Sequence, residues 1–192
     1  MDFDIVVVAS HRRRPLVTEF LCGIPHKVSY TPEYILPEDF KSTEVGLVAN
    51  HIGPYRCFKG HQDAIRLAEK DAVLVFEDDA VPNKTTWLTE VQNSLSLLDH
   101  FDIVSFHGRD YERVLFESVQ NVPGFIQPIN KTERTWVVAA LAYLVGRKSY
   151  EKLLACEYNG TPWDILLYWG YHFCLMEKSP FDHCRSEGSL ID

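Results

Sequence analysis

The feature that most constrains this chain is an apolar run that ends abruptly in acid. Ala72-Val73-Leu74-Val75-Phe76 leads straight into Glu77-Asp78-Asp79, with Pro82 close behind. Consecutive apolar residues rich in β-branched and aromatic side chains fit a strand buried on both faces, as in parallel sheets. Pro82 is expected to stop regular pairing soon afterwards. The carboxylates then fall where the strand leaves the core, and in open α/β sheets ligands bind just beyond that end. Adjacent carboxylates repel one another, so a fold that gathers them supplies a cation, basic partners or water. A hard divalent metal, which prefers oxygen ligands, is the natural cation. The plain alternative is a solvated acidic turn.

Ile5-Val6-Val7-Val8-Ala9 is a second run of the same kind. It ends at Ser10-His11-Arg12-Arg13-Arg14-Pro15, and Leu16, Val17, Phe20 and Leu21 then suit a helix stopped by Gly23. Pro15 fits a first helical turn, where its missing N–H costs nothing. If the two strands are parallel, the basic turn and the acids face one crevice. One side offers positive charge and helix N–H groups, the other metal ligands, and a diphosphate bridged to a cation needs both. The basic run taken alone also reads as a solvated surface.

Further along, His26 to Tyr30 suggests a short strand and Pro54 to Lys70 a helix. On that helix His61, Ala64, Ile65 and Ala68 keep the spacing of a buried face, with Lys59 and Arg66 on another. His61 there reads first as a hydrogen-bonded core histidine. Leu88, Val91, Leu95 and Leu98 mark an amphipathic helix with Thr86 as its N-cap. Phe101 to Phe106 and Trp136 to Val145 fit strands, and residues 108–135 read as a long polar excursion of the kind that forms binding lids. Ser149 is expected to cap a short helix carrying Tyr150, Leu153 and Leu154. Thr161-Pro162-Trp163-Asp164 makes a capping-box-like start to the last helix, which gives Asp164 a structural role. Ser179 to Cys184 reads as a polar tail.

The chain of 192 residues is expected to form one domain over 1–192, and its 46% hydrophobic content excludes a disordered protein. A net charge of -8 argues against broad nucleic-acid coating yet allows a small basic pocket. Five cysteines without a CxxC pair argue against a zinc knuckle or thioredoxin motif and fit reduced thiols. The acidic start Met1-Asp2-Phe3-Asp4 is not a signal peptide. The longest apolar run, Trp136 to Val145, is about half the ~20 residues that span a bilayer. A cytoplasmic protein without a transmembrane segment is expected, with the inner-membrane surface or a virus-infected host cell as further locations.

The order of these pieces resembles glycosyltransferase family 25. Cys57-Phe58-Lys59-Gly60-His61 resembles that family's Cys-x-x-Ser-His segment, with Gly60 in place of serine. Val73 to Val81 resembles its Leu-Ile-Leu-Glu-Asp-Asp-Val block. Ala142 to Lys148, followed by Leu153-Leu154, resembles its Tyr-Leu-Ile-Ser-Lys segment, and Pro162-Trp163-Asp164 its Pro-Ile-Asp. The resemblance implies an α/β, single-domain GT-A fold, nucleotide-sugar-binding and Rossmann-like, with a mostly parallel mixed central sheet flanked by helices.

It further implies a metal-dependent, inverting glycosyltransferase that takes a UDP-sugar and a glycan, protein or modified-nucleobase acceptor, as in lipopolysaccharide biosynthesis. The acids then stand for the family's DXD-like motif. Asp79 would ligate manganese or magnesium, and Glu77 or Asp78 would hold the metal or the ribose. Ser10, Arg12, Arg13, Lys59 and His61 would line the nucleotide-sugar site, the arginines adding charge-assisted bonds to the leaving group. His183, in the polar tail, is preferred to His172 as a late metal ligand, and Asp164 is the base for the acceptor hydroxyl. The alternatives are a nucleotidyltransferase, although the first turn lacks its usual glycines, or a non-catalytic carbohydrate-binding domain.

Overall fold

The computed structural model describes residues 2–10, 17–31, 35, 52–108, 115–129 and 140–184. The two apolar runs are strands side by side. β1 (Phe3–Ser10) pairs in parallel with β3 (Ala72–Glu77), Val8 lying opposite Glu77, and on its other side with β2 (Lys27–Thr31). β8 (Ala142–Gly146) runs antiparallel between β3 and β5 (Ile103–Ser105), and β9 (Phe173–Met176) is parallel to β5. β7 (Phe125–Pro128) and β6 (Phe116–Ser118) close the far side, giving the order β2-β1-β3-β8-β5-β9-β7-β6. Following the pairings, six of these eight strands run one way and β8 and β7 the other, so the mixed sheet is mostly parallel in direction.

Alternation along the strands sorts the core into two faces. Ile5, Val7, Leu74, Phe76 and Leu144 point towards α1 (Val17–Phe20) and α3 (Trp87–Ser94). Val6, Val8, Val73, Val75, Tyr143 and Val145 point towards α2 (Ile52–Arg66), α4 (Tyr150–Leu154) and α5 (Trp163–Gly170). The sheet is thus flanked by helices on both faces. Helix α2 lies close to β1 and β2 because Gly60 has no side chain. A Cβ there would overlap Thr31 Cγ2 and come within 3.0 Å of Val8 Cγ1.

Several expectations are corrected. The chain forms one more strand before it stops at Pro82, since β4 (Ala80–Pro82) pairs antiparallel with β10 (Phe181–His183). The polar tail therefore contains a strand, anchored by the fully buried Phe181. The excursion over 108–135 contains the β6–β7 hairpin, turned by Asn121 (φ 62°) and Gly124 (φ 82°). Helix α2 ends at Arg66 rather than Lys70, and α3 stops at Ser94, giving way to a 3-10 turn over Leu95–Asp99. Neither Thr86 nor Ser149 accepts a helix N–H with its side chain. Thr86 Oγ1 donates instead to Glu90 Oε1 (3.0 Å), and Ser149 Oγ to Asp102 Oδ1 (2.9 Å). Pro162, not Thr161, holds the N-cap position of α5. Of Trp136 to Val145, residues 136–139 lie outside the described residues. Among the described residues no helix is long and apolar enough to cross a membrane.

Candidate functional site

Because β1 and β3 are parallel neighbours, both turns that follow them open on one edge of the sheet. Ser10 closes β1, and α1 begins where the Val17 N–H meets the Asp78 carbonyl at 3.4 Å. Ser10 and Val17 thus both lie on the edge that carries the acids. Arg12 and Arg13, expected within that turn, lie outside the described residues.

The three carboxylates diverge. Glu77 keeps the parity of Val73 and Val75 and faces α2, where its Oε1 lies 3.4 Å from His61 Nε2. Asp78 is buried. Asp79 turns to the other small sheet. Its carbonyl accepts the Cys184 N–H at 3.0 Å, and its Oδ2 pairs with His183 Nε2 at 2.8 Å. Its Oδ1 is buried with no hydrogen-bond partner. Burial, together with the charges of Glu77 and Asp78, pushes the Asp79 carboxyl up despite the opposing pull of His183. An orphaned, buried carboxylate oxygen with a histidine at its side suits a divalent cation, so the residues fit the metal expected there.

β10 brings His183 beside Asp79, in a strand where the sequence suggested a polar loop. His172 is at the opposite edge, ahead of β9, where its Nδ1 lies 3.1 Å from the His100 carbonyl. Among the described residues, the donor atoms that gather within 4.8 Å of one another belong to Cys57, His61 and Glu77. Glu77, Asp79 and His183 form no such group.

The histidine has a deeper setting than its helical spacing implied. His61 is fully buried and lies nearly parallel to the Trp163 ring (centroids 5.4 Å apart, 6° between planes). Its Nδ1 is 2.8 Å from Tyr143 Oη, and Trp163 Nε1–H donates to the same oxygen at 2.9 Å. Trp163 opens α5, so the next residue, Asp164, is delivered to the same neighbourhood. Asp164 Oδ1 accepts the Ile165 N–H at 2.9 Å, a contact at the start of α5. Lys59 is recorded against Gln62 Oε1 (3.4 Å) and over the Tyr55 ring (6.0 Å).

Cys57 ties these parts together. Its thiol is pushed well up, first by burial and then by Glu77, Asp164, Asp78 and Asp79, so four carboxylates converge on its surroundings. Cys57 was not among the site residues expected from the sequence, although it opens the Cys-x-x-Ser-His-like segment and stands four residues before His61 on a helix.

No protein-family model matches the chain, and no curated protein matches it in sequence. Among solved structures, the chain is similar to a glycosyltransferase involved in the glycosylation of the major capsid of PBCV-1. Identity is 11%, the TM-score 0.48, and the match covers 97% of this chain and 95% of that one. A second similar structure is a mannose-1-phosphate geranyltransferase from Thermus thermophilus, at 10% identity, TM-score 0.49, with 95% and 76% covered. A third is an apo UDP-glucose pyrophosphorylase, at 9% identity, TM-score 0.46, with 94% and 76% covered.

Proposed function

We propose that the protein is a metal-dependent glycosyltransferase that uses a UDP-sugar. The observation that carries this reading is Asp79, with one oxygen held by His183 and the other buried and unpartnered, on the edge where β1 ends. Manganese or magnesium bound there would offset the charge that develops on the departing diphosphate. The protein's own residues divide the remaining tasks. Asp79 and His183 hold the cation, and Arg12 and Arg13 add charge-assisted hydrogen bonds to the diphosphate. Ser10, Asp78, Lys59 and His61 line or shape the nucleotide-sugar site. Asp164 takes the proton of the acceptor hydroxyl, an in-line geometry that inverts the anomeric centre. Similarity to glycosyltransferase family 25 rests here on the order of the motifs.

A panel of UDP-sugars assayed for UDP release, with and without manganese, tests the reading. Asp164→Asn is expected to lower turnover by roughly 10²–10⁴-fold while leaving UDP binding in place. Release of pyrophosphate from a nucleoside triphosphate and a sugar phosphate would reverse the assignment in favour of a nucleotidyltransferase. Binding of UDP-sugars without any turnover would mark a carbohydrate-binding domain instead.

A further inference from the structure

We infer that Cys57, His61 and Glu77 form a second metal site, specific for zinc and separate from the Asp79–His183 pair. Three donors of different chemistry meet here: a thiol, an imidazole and a carboxylate, all within 4.8 Å of one another. Cys57 and His61 are four residues apart on α2, which places their side chains one above the other on the same helix face. Glu77 reaches the same point from the end of β3. On a tetrahedral zinc ion, sulfur, nitrogen and oxygen ligands stand about 3.5 Å apart, so the donors need close in by only about an ångström.

The second, independent observation is the imidazole itself. His61 is 0% exposed, and its Nε2 has no hydrogen-bond partner. The nearest acceptor, Glu77 Oε1 at 3.4 Å, is too far for a well-formed bond. Its other nitrogen is committed to Tyr143 Oη, which Trp163 fixes in turn. A metal on Nε2 requires the tautomer in which Nδ1–H donates to that hydroxyl, which leaves the Nε2 lone pair for the ion. Metal-bound histidines commonly use their second nitrogen in this way, held by an outer partner. Stacking on Trp163 locks the ring plane as well.

The donor set selects the ion. Thiolate and imidazole favour zinc over manganese, whereas the oxygen-rich surroundings of Asp79 favour the harder ion. A zinc ion there would bind the Cys57 thiolate and release its proton to solvent. The Glu77 side chain is 31% exposed, so solvent can supply a fourth ligand from that side. This zinc site does not depend on what the Asp79 edge binds.

The test uses the full chain, stripped with chelator and free of nucleotide, titrated with Co²⁺ as a spectroscopic stand-in. A thiolate-to-cobalt charge-transfer band saturating at one ion per chain, and bleached by one equivalent of Zn²⁺, is expected. The exposed thiols are controlled by Cys22→Ser with Cys184→Ser, which should keep the band, and Cys57→Ser should abolish it. Asp79→Asn should keep it too, so its result is separable from any failure of the diphosphate reading. In the unsubstituted chain, alkylation of Cys57 mapped by mass spectrometry should slow at least about ten-fold with zinc and not with manganese. Absence of the band, its persistence in Cys57→Ser, or alkylation indifferent to zinc would overturn the assignment.

Discussion

At the scale of single residues, Gly60 and Asp102 carry the clearest consequences. Alanine at position 60 should gain about 1 kcal/mol of helix propensity, yet its Cβ would collide with Thr31 and crowd Val8 between α2 and the sheet. Overpacking of this kind costs about 1–3 kcal/mol, so Gly60→Ala is expected to lower the melting temperature by a few degrees. Serine, the residue of the resembled family, should do the same. Asp102 stands at the opposite edge from the acids. Burial raises its carboxyl, but the His172 N–H, the Ser149 hydroxyl and the nearby Lys152 and Lys148 outweigh this and hold it below the usual value of 3.8. A depressed carboxylate contributes stability that is present above its unfolded pKa and lost as pH falls through the folded one. Asp102→Ala should therefore cost about 1 kcal/mol at neutral pH, the low figure reflecting solvent screening, and the two proteins should converge below pH 3.8. Denaturant melts across that range check the sign, and catalytic turnover should be unaffected.

At the scale of elements, the β4–β10 pair decides where His183 stands. Asn83 clamps it. Its Nδ2 donates to the Ser179 carbonyl (3.3 Å) and to Asp182 Oδ1 (2.9 Å), and its N–H to the Pro180 carbonyl (2.9 Å). Asn83→Ala removes the two side-chain bonds, each contributing about 0.5–1.5 kcal/mol, and loosens the strand that carries the histidine. Manganese affinity measured by calorimetry should fall roughly 5–30-fold with little change in the cooperative melt. That clamp was not legible in the sequence. Phe181-Asp182-His183 is too short to show a period of two, and Pro82 argued against its partner. The β6–β7 hairpin was hidden for a related reason, since a short hairpin bearing Glu117 and Gln127 looks like any polar loop. By contrast β1 and β3 were plain, because unbroken apolar runs of that length have few other places to go.

At the scale of the whole molecule, the sheet order brings the ends of those two strands to one edge. Their adjacency follows from topology and not from any local signal, whereas the abrupt change from Phe76 to Glu77 marked the end at which the acids lie. The convergence on Cys57 was not readable, because α2, β3 and α5 meet there only in three dimensions. The central claim is that Asp79 holds a cation which clamps a diphosphate against the turn after β1. Calorimetric titration of UDP in manganese and again in chelator tests it most directly, with Asp79→Asn alongside. Because burial and neighbouring acids raise the Asp79 carboxyl, its charge is a cost to folding at neutral pH, so the variant should melt no lower than the parent in chelator. The expected result is UDP binding that needs manganese and weakens by at least about ten-fold in a variant that is still folded. Equal UDP binding with and without the metal, or full metal-dependent binding in Asp79→Asn, would contradict it.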